Sequence, residues 1–141
     1  MVNVNNEWDR LREVFVGTAE YANNPMKGKD LHSINYAHKN NIDDVYKGYY
    51  PEQVIEETKE DLAVLCQALK SFFNIKVRRM KPNKNHKTFK TQDWVSDGYY
   101  SFCPRDSVTV IGDTIIESPM TLRSRYFETL GFREQFIEYM K

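Results

Sequence analysis

The feature that most constrains the fold is one amphipathic stretch, residues 52–73. Val54, Ile55, Thr58, Leu62, Leu65, Cys66, Leu69 and Phe72/Phe73 recur at three- and four-residue spacing, the period of a single helix face. Glu56, Glu57, Lys59, Glu60, Gln67 and Lys70 fall largely on the other side. Pro51 presets the backbone for a first turn, acidic residues near the start suit the helix dipole, and Asn74 is a natural stop. One helix over 52–73 is therefore predicted.

Short strand patterns flank it. Leu11, Val14, Phe15 and Val16, closed by Gly17, read as a first strand; residues 75–80 alternate as a second. Residues 99–102 read as extended. Residues 107–111 and 114–117 surround Gly112-Asp113, a two-residue hairpin signal. A further helical region is predicted from Pro119, with Leu122, Tyr126 and Phe127 on one side. Gly131 interrupts it, and it resumes for a turn or two through Phe132, Phe136, Ile137 and Met140. The order strand, helix, strand, hairpin, helix is mixed α/β. Residues 18–50 lack periodicity and are expected to form a long loop with one helical turn near 44–46, the kind of segment that often serves as a functional lid.

The chain has the length of one domain, 141 residues. Its 20 basic and 20 acidic residues balance, so no global field recruits nucleic acid or an anionic membrane. The N-terminus lacks the basic and apolar regions of a signal peptide, and no apolar run approaches membrane-spanning length. With only Cys66 and Cys103 a disulfide framework is not expected, and a reducing, cytoplasmic setting fits. The helical pattern still runs at Lys141 with no stop signal, so the chain is expected to be a cut portion of something longer.

Few residues carry chemistry. Pro104-Arg105-Asp106 sets a carboxylate just before the apolar hairpin. Local chemistry allows it to be a turn residue paired with Arg105 or Arg123, or a binding group. Tyr100 divides between core and pocket. Cys66 lies on the apolar helix face, where a thiol is inert packing. In a regular strand Cys103 would point away from Tyr100 and Asp106, although Pro104 can spoil that parity. His32 and His38 match no metal motif, and neither metal nor cofactor is expected. The locally basic run from Arg78 to Lys90, which includes His86, reads as a solvated loop.

Three segments, in order, resemble the glycine amidinotransferase family. Val4-Asn5-Asn6-Glu7-Trp8-Asp9-Arg10-Leu11-Arg12-Glu13-Val14-Phe15-Val16-Gly17 is similar to that family's opening strand, with Arg10 where a proline is usual. Tyr50-Pro51 and its helix, ending in Val77-Arg78-Arg79, follow. The most specific is Pro104-Arg105-Asp106 through Ile115-Ile116-Glu117-Ser118-Pro119-Met120 and on to Arg123-Ser124-Arg125-Tyr126-Phe127-Glu128. The resemblance implies a partial pentein, a five-bladed α/β propeller of which residues 1–141 would form one incomplete domain covering the first one or two blades. It also implies that Asp106 grips the guanidinium of an arginine-like substrate and that Tyr100 lines the same pocket. The family's catalytic Asp, His and Cys lie beyond the matched region, so no catalytic residue is assigned here. A complementary chain or a second copy is a conceivable partner. The expected activity is amidino transfer from arginine to an amine such as glycine. The alternatives are a fragment of a guanidine-modifying deiminase or hydrolase, and a non-catalytic arginine-binding or interaction module. Trp8-Asp9 and the segment 123–127 favour transfer.

Overall fold

The computed structural model describes residues 2–81 and 88–140; the stretch 82–87 of the expected basic loop, with His86, lies outside them. In chain order the elements are β1 (Glu13–Val16), β2 (Asn23–Asn24), α1 (Lys29–Asn35), β3 (Gly48–Tyr49), α2 (Glu52–Phe73), β4 (Lys76–Arg79), β5 (Phe89–Lys90), β6 (Val95–Ser96), α3 (Pro104–Ser107), β7 (Val108–Ile111), β8 (Thr114–Glu117) and α4 (Leu130–Met140). The architecture is mixed α/β, as the order of patterns predicts.

The long helix spans the predicted residues. Pro51 occupies its N-cap, and Asn74 closes it in the left-handed conformation, φ 51°, one of the few non-glycine residues that tolerate that region. Its inward stripe is narrower than the apolar pattern suggests. Cys66 is buried, while Val54, Val64, Leu65, Phe72 and Phe73 remain exposed. The helix is the crossover between β1 and β4, which pair in parallel from Glu13 with Lys76 to Val16 with Arg79. Parallel neighbours need such a crossover.

Helix α4 closes over this pair. The Phe15 ring meets Phe132 edge-on at 6.5 Å and Phe136 at 6.0 Å, and Phe132 is fully buried. Burying a phenylalanine of this kind contributes about 2–3 kcal/mol. A polar seam runs beside the rings. The Glu13 carboxylate accepts from the Tyr139 hydroxyl at 2.6 Å and pairs with Arg78 and Lys76. The Arg78 guanidinium also lies 4.4 Å over the Tyr139 ring.

The hairpin has its expected register. Ile111 faces Thr114 across the turn, and Gly112 supplies φ 58°, which an L side chain rarely adopts. Val4 bonds both ways with Gly112, and Glu117 pairs with Arg133. The hairpin is thereby tied to the N-terminal segment and to α4.

Two expectations fail. Residues 18–50 are not a structureless loop; they contain α1, the β2–β3 pair (Asn23 opposite Tyr49) and a 3-10 turn at Ile42–Asp44. Helix α1 is only seven residues long and buries just Leu31, too little apolar repetition to register as a period. The helical region expected from Pro119 also does not form. That stretch holds a 3-10 turn at Arg123–Arg125 and bends, and the helix begins at Leu130. Gly131 does not interrupt a helix; it sits in the first turn of α4. The earlier stretch is held instead by packing of Leu122 into a cluster with Leu31 and Tyr99, flanked by Tyr36, Tyr50 and Tyr100. The Arg123 amide also donates to Asp30 Oδ2 at 2.9 Å.

Candidate functional site

Residues 98–101 form no strand, yet they are held along their length by the segment after β1. The Thr18 amide donates to the Ser101 carbonyl at 3.1 Å and the Asn23 amide to the Tyr99 carbonyl at 2.7 Å. The Asn23 side-chain amide donates to the Gly98 carbonyl at 2.7 Å. This backbone lattice sets Tyr100, whose ring lies between Tyr99 at 4.1 Å and Phe102 at 4.4 Å. Burial pushes the Tyr100 hydroxyl up, and Arg125 pulls it back only in part.

Asp106 sits in α3, a single helical turn rather than a strand. Pro104 is favourable in that first turn, and Ser107, fully buried, anchors its end by accepting the Ser118 amide at 2.9 Å on its carbonyl. The Asp106 side chain is 43% exposed. Its Oδ2 accepts from Arg125 Nη1 at 2.9 Å, and among the described residues Oδ1 has no donor. The partner is thus Arg125, neither Arg105 nor Arg123 as local chemistry suggests. Arg123 lies 5.9 Å over the Trp94 ring instead.

Arg125 joins the two residues singled out by the sequence. Its guanidinium carbon stands 4.8 Å from the Tyr100 ring centroid. Its Nε and Nη2 donate to Glu128 Oε2 and Oε1 at 2.5 and 3.1 Å, the two-bond fork that Arg makes with carboxylates. The side chains of Arg125 and Glu128 are 6% and 2% exposed. Burial pushes the Glu128 carboxyl up against the pull of Arg125. Burial also works against the Arg125 charge, but the two carboxylates outweigh it and hold the group above its ordinary value. When both acids are ionised, the cluster keeps one uncompensated negative charge, exposed at Asp106. A cavity of about 330 Å³ is lined by Lys90, Tyr99, Tyr100, Ser101, Phe127 and Glu128, and by Ser124, whose buried hydroxyl has no partner among the described residues; Asp106 lies outside this lining. The exposed Asp106 carboxylate, not the cavity, is the group that a planar cation can meet. Arg125 and Glu128 escaped the reading of individual residues. Their signal was the three-residue spacing inside the matched segment 123–128.

Neither cysteine is set up as a nucleophile. Cys66 is buried and accepts from Arg79 Nη1 at 3.3 Å. The strand parity expected for Cys103 does not apply, because no strand runs through residues 100–106 and Pro104–Ser107 form a helical turn. Burial first and the Asp106 charge second push the Cys103 thiol up, opposing the reactive thiolate. His32 Nε2 bonds the Lys39 carbonyl at 2.9 Å and His38 rests beside the Tyr36 ring. Among the described residues there is no cluster of metal-ligating side chains, and no helix is long and apolar enough to cross a membrane.

No family model matches the chain. Individual proteins do. Inosamine-phosphate amidinotransferase 1 of Streptomyces griseus is 41% identical over 140 residues, which is 99% of this chain and 40% of that protein. The mitochondrial glycine amidinotransferase of Danio rerio is 33% identical over 141 residues, covering 33% of its length. The solved structure of the Streptomyces griseus enzyme superposes with a TM-score of 0.92 at 40% identity, over 99% of this chain and 40% of that one. An amidinotransferase of saxitoxin biosynthesis from Microseira wollei gives 0.83 at 37% identity, over 99% and 38%. The chain thus spans about two fifths or less of the length of these relatives. Over its whole length the chain is similar in sequence and in fold to part of the amidinotransferases, which supports reading it as an N-terminal portion of such a protein.

Proposed function

We propose that this chain is the guanidinium-holding part of an amidinotransferase that takes an amidino group from an arginine-like donor and passes it to an amine. The observation that carries the reading is the half-exposed Asp106 carboxylate, with Oδ2 engaged by Arg125, Oδ1 without a donor among the described residues, and the Tyr100 ring against the same Arg125 guanidinium. A guanidinium is planar and permanently charged, and a carboxylate matches it in shape and sign. Holding it still presents the central carbon to an attacking thiolate, and that positioning lowers the barrier. The thiolate would form a covalent amidino intermediate, a His would move protons, and the amine would then take the group. On this reading the catalytic Asp, His and Cys come from the remaining length of the family, in the same polypeptide or in a complementary chain. Residues 1–141 would be one incomplete pentein domain, the first one or two blades of a five-bladed propeller.

The higher identity to inosamine-phosphate enzymes than to glycine enzymes favours an acceptor of the former kind over glycine. The named relatives are transferases, which favours transfer over the deiminase or hydrolase alternative. The non-catalytic interaction module draws support from one observation, the exposed apolar residues Trp8, Val64, Phe72 and Phe73.

The test is L-arginine titrated into the chain and followed by NMR at Tyr100 and Asp106. Arginine should bind and ornithine, which lacks the guanidinium, should bind far more weakly. Asp106→Asn should abolish the difference. Equal arginine binding by Asp106→Asn would make Asp106 a structural residue.

A further inference from the structure

Asp106 stands on a weak platform. Helix α3 is four residues long, and an aspartate at the surface of one helical turn is free to change rotamer unless something holds it. Only Arg125 Nη1 does so among the described residues. Arg125 itself is fixed from three directions: Glu128 takes Nε and Nη2, Asp106 takes Nη1, and the Tyr100 ring lies against the guanidinium. Because the fork is spent on Glu128, Arg125 offers Asp106 a single nitrogen, and Oδ1 stays available. A bidentate Arg125–Asp106 pair would occupy both oxygens and close the site.

We propose that Arg125, locked by Glu128, is a positioning residue that orients Asp106 and Tyr100 as one receptor for a guanidinium ligand. The proposal rests on the guanidinium-holding reading above and adds to it the group that sets its geometry. A purely structural ion pair and a positioning device make different demands. The first needs a buried positive charge, which lysine also carries. The second needs the planar fork and its flat face, which lysine lacks.

The experiment measures L-arginine and ornithine binding to the chain, by NMR, for the wild type, Arg125→Lys, Glu128→Gln and Asp106→Asn, with circular dichroism reporting the fold of each. Arg125→Lys is expected to keep the fold, to weaken arginine binding by about tenfold or more, and to lose the preference for arginine over ornithine. Glu128→Gln keeps the shape of Glu128 but loosens its hold, freeing Arg125 to cover both Asp106 oxygens. It should weaken arginine binding in the same sense, and it carries the test if Arg125→Lys does not fold. Arginine affinity within about twofold of wild type in whichever of these variants folds would overturn the positioning role. If Asp106→Asn loses binding in that same experiment, the guanidinium reading survives alone. Failure of the wild-type chain to bind arginine would overturn both.

Discussion

The backbone at Gly17 runs so close to Ser101 that a β-carbon there would lie 2.4 Å from the Ser101 carbonyl oxygen. The end of β1 and the segment bearing Tyr100 are pressed together at this point, and the Thr18–Ser101 bridge follows directly. The glycine that closes the first strand pattern thus has a packing role. The neighbours are backbone atoms, which cannot swing aside. Gly17→Ala should lower stability by about 1–3 kcal/mol, read as a reduced midpoint in urea, and should broaden the Tyr100 ring signals. An unchanged midpoint would mean that the two segments separate at little cost.

Acid should loosen the joint between β1, β4 and α4. Burial alone would raise the Glu13 carboxyl, but the Tyr139 hydroxyl, Arg78 and Lys76 outweigh it and hold the group below its ordinary value of 4.5. A carboxyl lowered by folding contributes stability above its unfolded pKa and loses it as pH falls through the lower folded value. The melting temperature should therefore drop more steeply below about pH 4.5 in the wild type than in Glu13→Gln. Parallel curves for the two proteins would remove Glu13 from the acid response. Comparing variant with wild type cancels the opposite contribution of Glu128, whose raised carboxyl costs stability as pH rises.

The 141-residue chain should show no appreciable transfer of an amidino group from arginine to glycine, assayed as ornithine formed. A guanidinium carbon is a poor electrophile and needs an activated nucleophile with a base at hand. Cys66 is buried, and the Cys103 thiol is pushed up by burial and by Asp106. Robust turnover that vanished in Cys103→Ala would falsify this and make Cys103 the nucleophile.

Apolar surface should make the isolated chain self-associate. Trp8 is 84% exposed and Phe72, at the end of α2, 82%, which is large for aromatic side chains in a solvated monomer. Light scattering should show a mass that rises with concentration, and Phe72→Lys should reduce the rise without lowering the melting temperature. A wild-type mass constant across concentrations would remove the prediction.

The sequence by itself determined the elements whose stability is local. Helix α2 is legible because its apolar residues repeat over six turns, and the hairpin because alternation and Gly112-Asp113 coincide. Where the signal is short, it failed. Helix α1 buries one leucine, and the stretch after Pro119 carries helical spacing but is claimed by Leu122 packing against Leu31 and Tyr99. The site divides in the same way. Asp106 stands in the matched motif and Tyr100 six residues before it, and the resemblance singles out both as candidates. Their link through Arg125, and the anchoring of Arg125 by Glu128, depended on tertiary structure. A buried guanidinium can satisfy several carboxylates and rings within reach, and which ones it meets depends on how the chain brings residues 100, 106 and 125 together. No local period encodes that meeting, because its energy arises only once burial has removed water from the pair.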